Sequence, residues 1–335
     1  MLLNPWSIAL CLISLLALCL IAAAGRTAIN VLRFWDPASD SNRQIRLENE
    51  TWLASTLVQN AMGLQVVSLI LFTLAADKFS AVINGAMCAT GSLLANKYGM
   101  PALYIKLAGV FLYGFWIVLH KLDISREDYP LLRLKFIYLL VLLPFLLGDI
   151  TVQTLYLVNL HPNIITSCCA VVYSSGQGGG MNLLGSLNGG SLLIMFYAAA
   201  LLLYGLGVVS LKWPLRSIML ADGLLWLLFL WLALVSITVV FSSYVYAMPY
   251  HHCPFCILKP QYYYIGYLIY LTLFPAVFFG LTVPAVEPFR HRAGLGTVVA
   301  AFQRRAGWAS LLFLTLFIIT VSWHYVLYKI LGGQT

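Results

Sequence analysis

The chain has few charged residues: only 9% of its 335 residues are Asp, Glu, Lys or Arg, and 61% are hydrophobic. Soluble domains carry about a quarter charged residues, so the composition excludes a water-soluble fold. Apolar and polar residues do not alternate as they do in membrane strands, which argues against a barrel. Apolar runs of near the roughly 20 residues that cross a bilayer recur instead. The sequence therefore predicts an all-α, polytopic transmembrane helix bundle in contact with the lipid bilayer.

The N-terminus lacks the basic residue that begins a secretion signal. The first six residues carry no Lys or Arg, whereas Arg26 and Arg33 follow the first apolar run. We therefore expect an uncleaved helix with its N-terminus outside. Apolar windows predict about eight helices in a single integral membrane domain, 1–335, and a short surface helix over 294–305. The eight predicted helices are 6–24, 55–76, 102–120, 136–158, 191–210, 218–242, 262–286 and 308–330.

Basic residues are nearly absent from every second loop. The loops after predicted helices 1, 3, 5 and 7 hold 14 of the 19 Lys and Arg residues, so the positive-inside rule places both termini outside. The net charge of +8 is then a record of topology, and we expect no nucleic-acid partner. A compact, loop-poor chain with an outer thiol cluster favours a bacterial inner membrane. The 14 residues are Arg26, Arg33, Arg43, Arg46, Lys121, Arg126, Arg133, Lys135, Lys212, Arg216, Arg290, Arg292, Arg304 and Arg305.

No cysteine lies in a predicted cytoplasmic loop. Two of the seven are in predicted helix 1, and five lie in outer loops. Outer thiols left unpaired are oxidised, so this placement indicates disulfides, metal ligation or redox work. The five outer cysteines are Cys88, Cys168, Cys169, Cys253 and Cys256.

One outer loop reads His251-His252-Cys253-Pro254-Phe255-Cys256. A C-x-x-C pair can close as a disulfide or bind one metal ion, and Pro254 fits the first position of a short helix. Covalent c-type haem attachment requires His directly after the second cysteine, but Ile257 stands there, so we expect no such haem.

A second outer loop carries the adjacent pair Cys168-Cys169 and a glycine-rich run, 176–180. Adjacent cysteines seldom bond each other, so each is expected to pair elsewhere, with Cys88, Cys253 or Cys256. The glycine run lacks the Lys-Ser/Thr ending of a phosphate-binding loop, so we expect no nucleotide.

Among the polar residues inside predicted helices, where an ionisable group is a functional candidate, four are singled out as a candidate site. Asp149 and Gln153 are one turn apart on predicted helix 4, His324 lies in helix 8, and Lys106 lies near the outer end of helix 3. Together they are candidates for binding a quinone head group or relaying protons. An interhelical tie, such as an ion pair of Asp149 with Lys106, is an equal alternative.

The first functional hypothesis is a thiol–disulfide oxidoreductase coupled to a membrane quinone. Cys253 or Cys256 exchanges with a partner thiol, and a second pair from Cys88, Cys168 and Cys169 relays electrons. The C-x-x-C beside a helix end, with further cysteines in a second outer loop, resembles the DsbB and vitamin K epoxide reductase families. The resemblance covers only Cys253–Cys256 and the loop placement, and those families have four-helix cores. The expected partner is a periplasmic thioredoxin-like or cytochrome protein.

Two other hypotheses use the same residues. His251, His252, Cys253 and Cys256 are a donor set that suits copper(I) or zinc, as in a metal-handling assembly factor. Alternatively, the cysteines staple the loops of a non-catalytic subunit of a respiratory or cytochrome complex, with other membrane subunits as partners. A solute transporter ranks below these.

Overall fold

The computed structural model describes residues 2–36, 41–163, 166, 188–248, 251–292 and 294–331. Within these ranges the chain is helical and contains no β-strand, which confirms the predicted all-α class. Cys168, Cys169 and the glycine-rich run lie outside the described residues. The α-helices are α1 (Pro5–Phe34), α2 (Asn42–Ser80), α3 (Ala89–Leu94), α4 (Gly99–Asp123), α5 (Leu132–Val158), α6 (Gly189–Lys212), α7 (Arg216–Ser236), α8 (Ser242–Tyr246), α9 (Ile265–Val286) and α10 (Gly296–Ile330).

Eight helical segments in the described ranges are long and apolar enough to cross a membrane, as the sequence predicted. One of them, Arg216–Tyr246, joins α7 and α8 through a π-helix over Ile237–Phe241. Large apolar side chains such as Leu12, Leu201 and Leu228 are exposed on these helices, as lipid-facing residues are. The chain is therefore a multi-pass membrane protein.

Three helices extend well beyond the predicted spans, and one of them, α1, ends at Phe34 rather than at residue 24. α2 begins at Asn42, where Ser41 caps it by accepting a hydrogen bond from Gln44 N at 3.3 Å. Its polar first turns carry an Arg46–Glu50 ion pair of 2.8 Å, one helical turn apart. The separate surface helix expected over 294–305 is instead the first part of α10. Hydropathy windows detect only the apolar part of a helix, so these polar extensions were missed.

The described chain divides into two compact units, and the prediction of one domain over 1–335 stays a prediction. The first unit comprises Met1–Thr166 and Arg292–Val298. In it α1 packs against α2 and α5, and α4 packs between α2 and α5. Small residues such as Ala24 and Ala61 are fully buried in its core, beside Trp116 and Phe136.

The second unit comprises Ser167–His291 and Val299–Thr335. In it α7 packs against both α6 and α9. Its core is aromatic: the Phe196 ring meets Phe229 at 5.6 Å, Phe241 at 5.1 Å and Phe317 at 6.0 Å between centroids. Phe196, Phe229 and Phe317 are fully buried, and two acidic side chains of this unit, Asp222 and Glu287, are buried as well.

Candidate functional site

The C-x-x-C pair lies in a segment of the second unit, residues 251–264, that we name the cysteine loop. It connects the Arg216–Tyr246 span to α9. The short helix expected near Pro254 is a 3-10 turn, Cys256–Leu258, so Cys253 precedes the turn rather than capping an α-helix. The turn stops at Lys259, which is extended (φ −83°, ψ 155°) because the following Pro260 disfavours a helical conformation there.

The sulfur atoms of Cys253 and Cys256 lie within 4.8 Å of each other. Both residues are buried, with Cys253 fully covered and Cys256 exposing 6% of its surface. Lys259 N donates to Cys256 O at 3.0 Å and keeps the turn closed. The turn thus holds two sulfurs on one side of the loop, a geometry from which a disulfide or a shared metal ion is reached by small side-chain rotations.

Two tyrosines fasten the cysteine loop to the ends of the flanking spans. The Tyr246 hydroxyl donates to Cys253 O, and the Tyr270 hydroxyl donates to Pro254 O at 2.8 Å. The Tyr246 ring also packs edge-on against His251 and Tyr262, at 4.5 and 4.6 Å between centroids. These two hydroxyls position the backbone of the C-x-x-C pair.

The buried surroundings of the two sulfurs also act on Tyr262. Burial raises the pKa of the Tyr262 hydroxyl, and the nearby sulfurs of Cys256 and Cys253 raise it further. An ionised phenol is therefore disfavoured beside the pair.

His252 is tied to the span rather than to the sulfurs. Its ring bonds to the carbonyl of Thr238, which lies in the π-helix and also accepts from the Ser242 hydroxyl at 2.7 Å. Burial lowers the pKa of His252, and the neighbouring His251 lowers it further, whereas the bond to Thr238 opposes both. The other ring nitrogen, Nδ1, is buried without a hydrogen-bond partner.

The predicted metal ligands are therefore only partly assembled. In the described ranges, neither His251 nor His252 completes a set of three donor atoms within 4.8 Å with Cys253 and Cys256. The pair of sulfurs is held close, while the two imidazoles contact Tyr246 and Thr238.

Left-handed backbone brackets the cysteine loop. Ala247 (φ 52°) follows α8, and Tyr263 and Tyr264 (φ 52° and 56°) precede α9. Each such non-glycine residue costs on the order of 1–3 kcal/mol, and strained residues of this kind concentrate at functional and switching segments. At the second edge, a Cβ on Gly266 would lie 2.7 Å from the Ile257 side chain, so only glycine lets the turn rest on α9.

Of the other three predicted outer cysteines, one is among the described residues. Cys88 is in the first unit, fully buried at the residue that precedes α3. Cys168 and Cys169 are outside the described residues, so their expected pairings stay predictions.

The predicted quinone-binding residues are divided between the two units. In the first unit Lys106 Nζ lies 3.2 Å from Asp149 Oδ1 and donates to Ser68 Oγ at 3.0 Å. Gln153 donates to Ser14 Oγ at 3.0 Å. The interhelical Lys106–Asp149 ion pair, which was the alternative to a quinone site, is thus present. His324 lies on α10 in the second unit, with Nδ1 buried and unpartnered.

Composition-based reasoning missed three further buried polar groups in the first unit. Gln65 and Tyr113 are 2% and 1% exposed, and Lys135 forms a 2.6 Å ion pair with Asp123. Lys135 had been assigned to a loop because a basic residue beside an apolar run resembles a topology signal. Gln65 lies within predicted helix 2, and neither of its amide atoms has a hydrogen-bond partner.

Comparisons with protein-family models, with curated proteins and with solved structures gave no match to this chain.

Proposed function

We propose that this chain is a membrane thiol–disulfide oxidoreductase, with Cys253 and Cys256 as its exchange pair and a membrane quinone as its electron acceptor. The observation that carries the proposal is the proximity of the two sulfurs, within 4.8 Å, on a fastened turn between two spans.

The exchange conserves electrons and protons. A thiolate of a reduced dithiol partner attacks the Cys253–Cys256 disulfide, forms a mixed disulfide with one cysteine and releases the other as a thiolate. The partner's second thiol then attacks the mixed disulfide, so the partner leaves oxidised and the pair is a dithiol. Two electrons and two protons pass from the pair to the quinone, which becomes a quinol. Cys256, the more exposed cysteine, is the proposed point of attack.

Burial of the pair requires the cysteine loop to open when a partner docks. The strained residues Ala247, Tyr263 and Tyr264 at its two edges lower the cost of that opening, because strain is released as the loop leaves its closed state. The Tyr246 and Tyr270 hydroxyls close it again. Restricted access protects the pair from exchange with unrelated thiols.

The distribution of basic residues supports a topology for this chemistry. With both termini outside, the loops after even-numbered spans face the outer side, and these loops carry Cys253, Cys256, Cys88, Cys168 and Cys169. A second pair drawn from Cys88, Cys168 and Cys169 passes electrons onward. The fitting membrane is a bacterial inner membrane, and the fitting partner is a thioredoxin-like protein of the periplasm.

His324 is the proposed contact for a quinone carbonyl. It shares the second unit with the cysteine pair, and a buried ring nitrogen without a partner is available for a hydrogen bond. Lys106 and Gln153 are less suited, because Lys106 already donates to Ser68 and Asp149, and Gln153 already donates to Ser14. Asp149 accepts from Lys106 and has no proton to donate to a carbonyl.

Metal handling is the second candidate function, and one observation favours it. His252 Nδ1 is buried and unpartnered on the residue next to Cys253, and neutral imidazole with thiolates suits copper(I) or zinc. Loop opening would have to bring the imidazole to the sulfurs.

The decisive experiment measures quinone reduction by a reduced thioredoxin-like protein, using the purified chain in lipid nanodiscs. Cys253→Ser and Cys256→Ser should each abolish turnover, because neither variant can form the disulfide. The two variants should differ in whether they trap the partner protein. The mixed disulfide should accumulate in Cys253→Ser, which retains Cys256, and not in Cys256→Ser.

The matched control is Cys19→Ser, which removes an exposed cysteine of α1 and should leave turnover unchanged. Wild-type turnover that persists in both loop variants would refute the redox proposal. If turnover is absent and the purified protein holds about one copper or zinc ion that His252→Ala removes, metal handling replaces it.

A further inference from the structure

Buried polar atoms without hydrogen-bond partners lie in the interior of the first unit. Both amide atoms of Gln65, the Tyr113 hydroxyl and Gln153 Oε1 have no partner, and Asp149 Oδ1 is ion-paired but accepts no hydrogen bond. All four side chains are at most 2% exposed. In a lipid-surrounded helix bundle such atoms are costly unless something small satisfies them.

These groups follow one another through the interior of the unit. Gln153 is one turn from Asp149 on α5, and Asp149 meets Lys106 of α4 at 3.2 Å. Lys106 donates to Ser68 of α2 at 3.0 Å, and Gln65 lies one turn before Ser68 on the same face.

Tyr113 continues the series on α4, two turns from Lys106 and on the same side of the helix. Glycine at position 109 makes room for its ring, because a Cβ there would lie 2.7 Å from the ring edge.

A second charged pair lies at the far end of the same two helices. Lys135 of α5 meets Asp123 of α4 at 2.6 Å, and Nδ1 of His120 is 3.5 Å from Lys135 Nζ. At 1.5 Å per residue, Asp123 is about 25 Å from Lys106 along α4, which is most of the thickness of a bilayer core. Tyr113 and Gln65 fall between the two pairs.

The donor and acceptor types of these unpartnered atoms indicate which small molecule can satisfy them. Gln65 Nε2 requires an acceptor, Asp149 Oδ1 and Gln153 Oε1 require donors, and the Tyr113 hydroxyl can do either. A quinone carbonyl only accepts, so it leaves the orphaned oxygens unsatisfied. Water both donates and accepts, and buried waters commonly satisfy otherwise unpaired polar groups.

We propose that these groups and the waters between them form a proton-transfer path through the first unit, from the Lys106–Asp149 pair to the Asp123–Lys135 pair. In each step a proton moves along one hydrogen bond: Tyr113 accepts a proton from one water and gives its own to the next, so no group is changed overall. The path is a function of the first unit and does not rest on the exchange chemistry of Cys253 and Cys256.

The test uses the full chain reconstituted in liposomes that contain a pH-sensitive dye, with a potassium diffusion potential imposed across the membrane. Wild type should carry a proton flux above that of protein-free liposomes. Tyr113→Phe and Gln65→Leu should reduce the flux to the protein-free level, because they remove the middle of the path and keep the size of the side chain.

Tyr138→Phe is the matched control, since it removes a tyrosine hydroxyl of α5 that is already hydrogen-bonded to Leu112 O at 3.2 Å. Its flux should equal that of wild type. An equal loss in Tyr138→Phe and Tyr113→Phe would overturn the proposal, as would a wild-type flux no greater than that of empty liposomes.

Radiolytic hydroxyl labelling gives an independent measurement of the water. The buried Tyr113 should be labelled in wild type, because radicals form from water held beside it. No labelling of Tyr113 would mean a dry interior and would contradict the path. Neither readout changes when Cys253 and Cys256 are replaced by Ser, so failure of the exchange chemistry is distinguishable from failure of this inference.

Discussion

The two units of this chain place their polar chemistry in opposite ways. The first unit buries two ion pairs, Lys106–Asp149 and Asp123–Lys135, between its helices. The second packs phenylalanine side chains in its interior and holds the sulfurs of Cys253 and Cys256 in a loop at the end of two spans. The comparison shows that a polar group inside a membrane bundle must be satisfied by neighbouring helices or water. A group in a loop needs only hydrogen bonds from nearby side chains, such as those of Tyr246 and Tyr270.

The largest expected effect is a loss of stability in the first unit. Lys106→Met leaves Asp149 as an uncompensated buried charge and should lower the free energy of unfolding by about 3–5 kcal/mol. The double variant Lys106→Met with Asp149→Leu should recover most of that loss, since two apolar side chains replace the pair. Unfolding by sodium dodecyl sulfate in mixed micelles measures both. A single variant as stable as wild type would mean that Asp149 is not ionised.

Packing is the corresponding weak point of the second unit. A Cβ on Gly280 would lie 2.3 Å from the Trp226 ring, so Gly280→Ala should displace that ring and cost about 1–3 kcal/mol. Gly205→Ala is the matched control, because no atom lies within 4 Å of a Cβ there. Thermal unfolding should separate the two variants; equal midpoints would show that Trp226 has room to move.

A smaller effect tests the hydrogen bond by which Tyr246 holds the cysteine loop closed. Tyr246→Phe removes the hydrogen bond to Cys253 O, worth about 1 kcal/mol. The open population should rise about fivefold, and the labelling rate of Cys256 by a membrane-impermeant maleimide should rise with it. Tyr263→Phe, on a side chain that is 91% exposed, should leave the rate unchanged. Identical labelling rates in Tyr246→Phe and Tyr263→Phe would show that the Tyr246 hydroxyl does not hold the cysteine loop closed.

The smallest effect concerns pH. Because burial lowers the pKa of His252, the folded state favours its neutral form and the unfolded state binds the proton more readily. This contribution is present above about pH 6.5, the ordinary histidine value, and is lost as the pH falls below it. The midpoint of thermal unfolding should be lower at pH 5 than at pH 7. His252→Gln should reduce this difference, and replacement of the exposed His161 should not. An unchanged difference in His252→Gln would place the sensitive group elsewhere.

How far the sequence predicts this molecule depends on the kind of signal. Apolar runs predicted all eight spans, because burial in lipid requires them along the whole crossing. They did not predict that α2 begins at Asn42, since its first turns are polar and held by a cap and an ion pair. The π-helix at Ile237–Phe241 has no characteristic composition, and it contains Thr238, whose carbonyl binds His252.

The candidate site was predicted in part. The spacing of Cys253 and Cys256 places two sulfurs on one side of a turn in any helical or 3-10 conformation, so their proximity was readable. The hydroxyl contacts of Tyr246 and Tyr270 were not, because aromatic residues at a membrane interface are ordinary anchors until their partners are known. The proposed role of Gln65 and Tyr113 follows from their buried polar atoms, which have no hydrogen-bond partner, and only the structure shows this.

A redox titration of the cysteine pair tests the central claim most directly. The purified protein in nanodiscs is equilibrated with defined ratios of quinone to quinol, and the oxidised fraction of Cys253–Cys256 is measured by thiol-specific mass tags. The account predicts that this fraction follows the imposed ratio with two-electron behaviour and that Cys19 does not respond. A pair that keeps one redox state across the whole range would contradict the account.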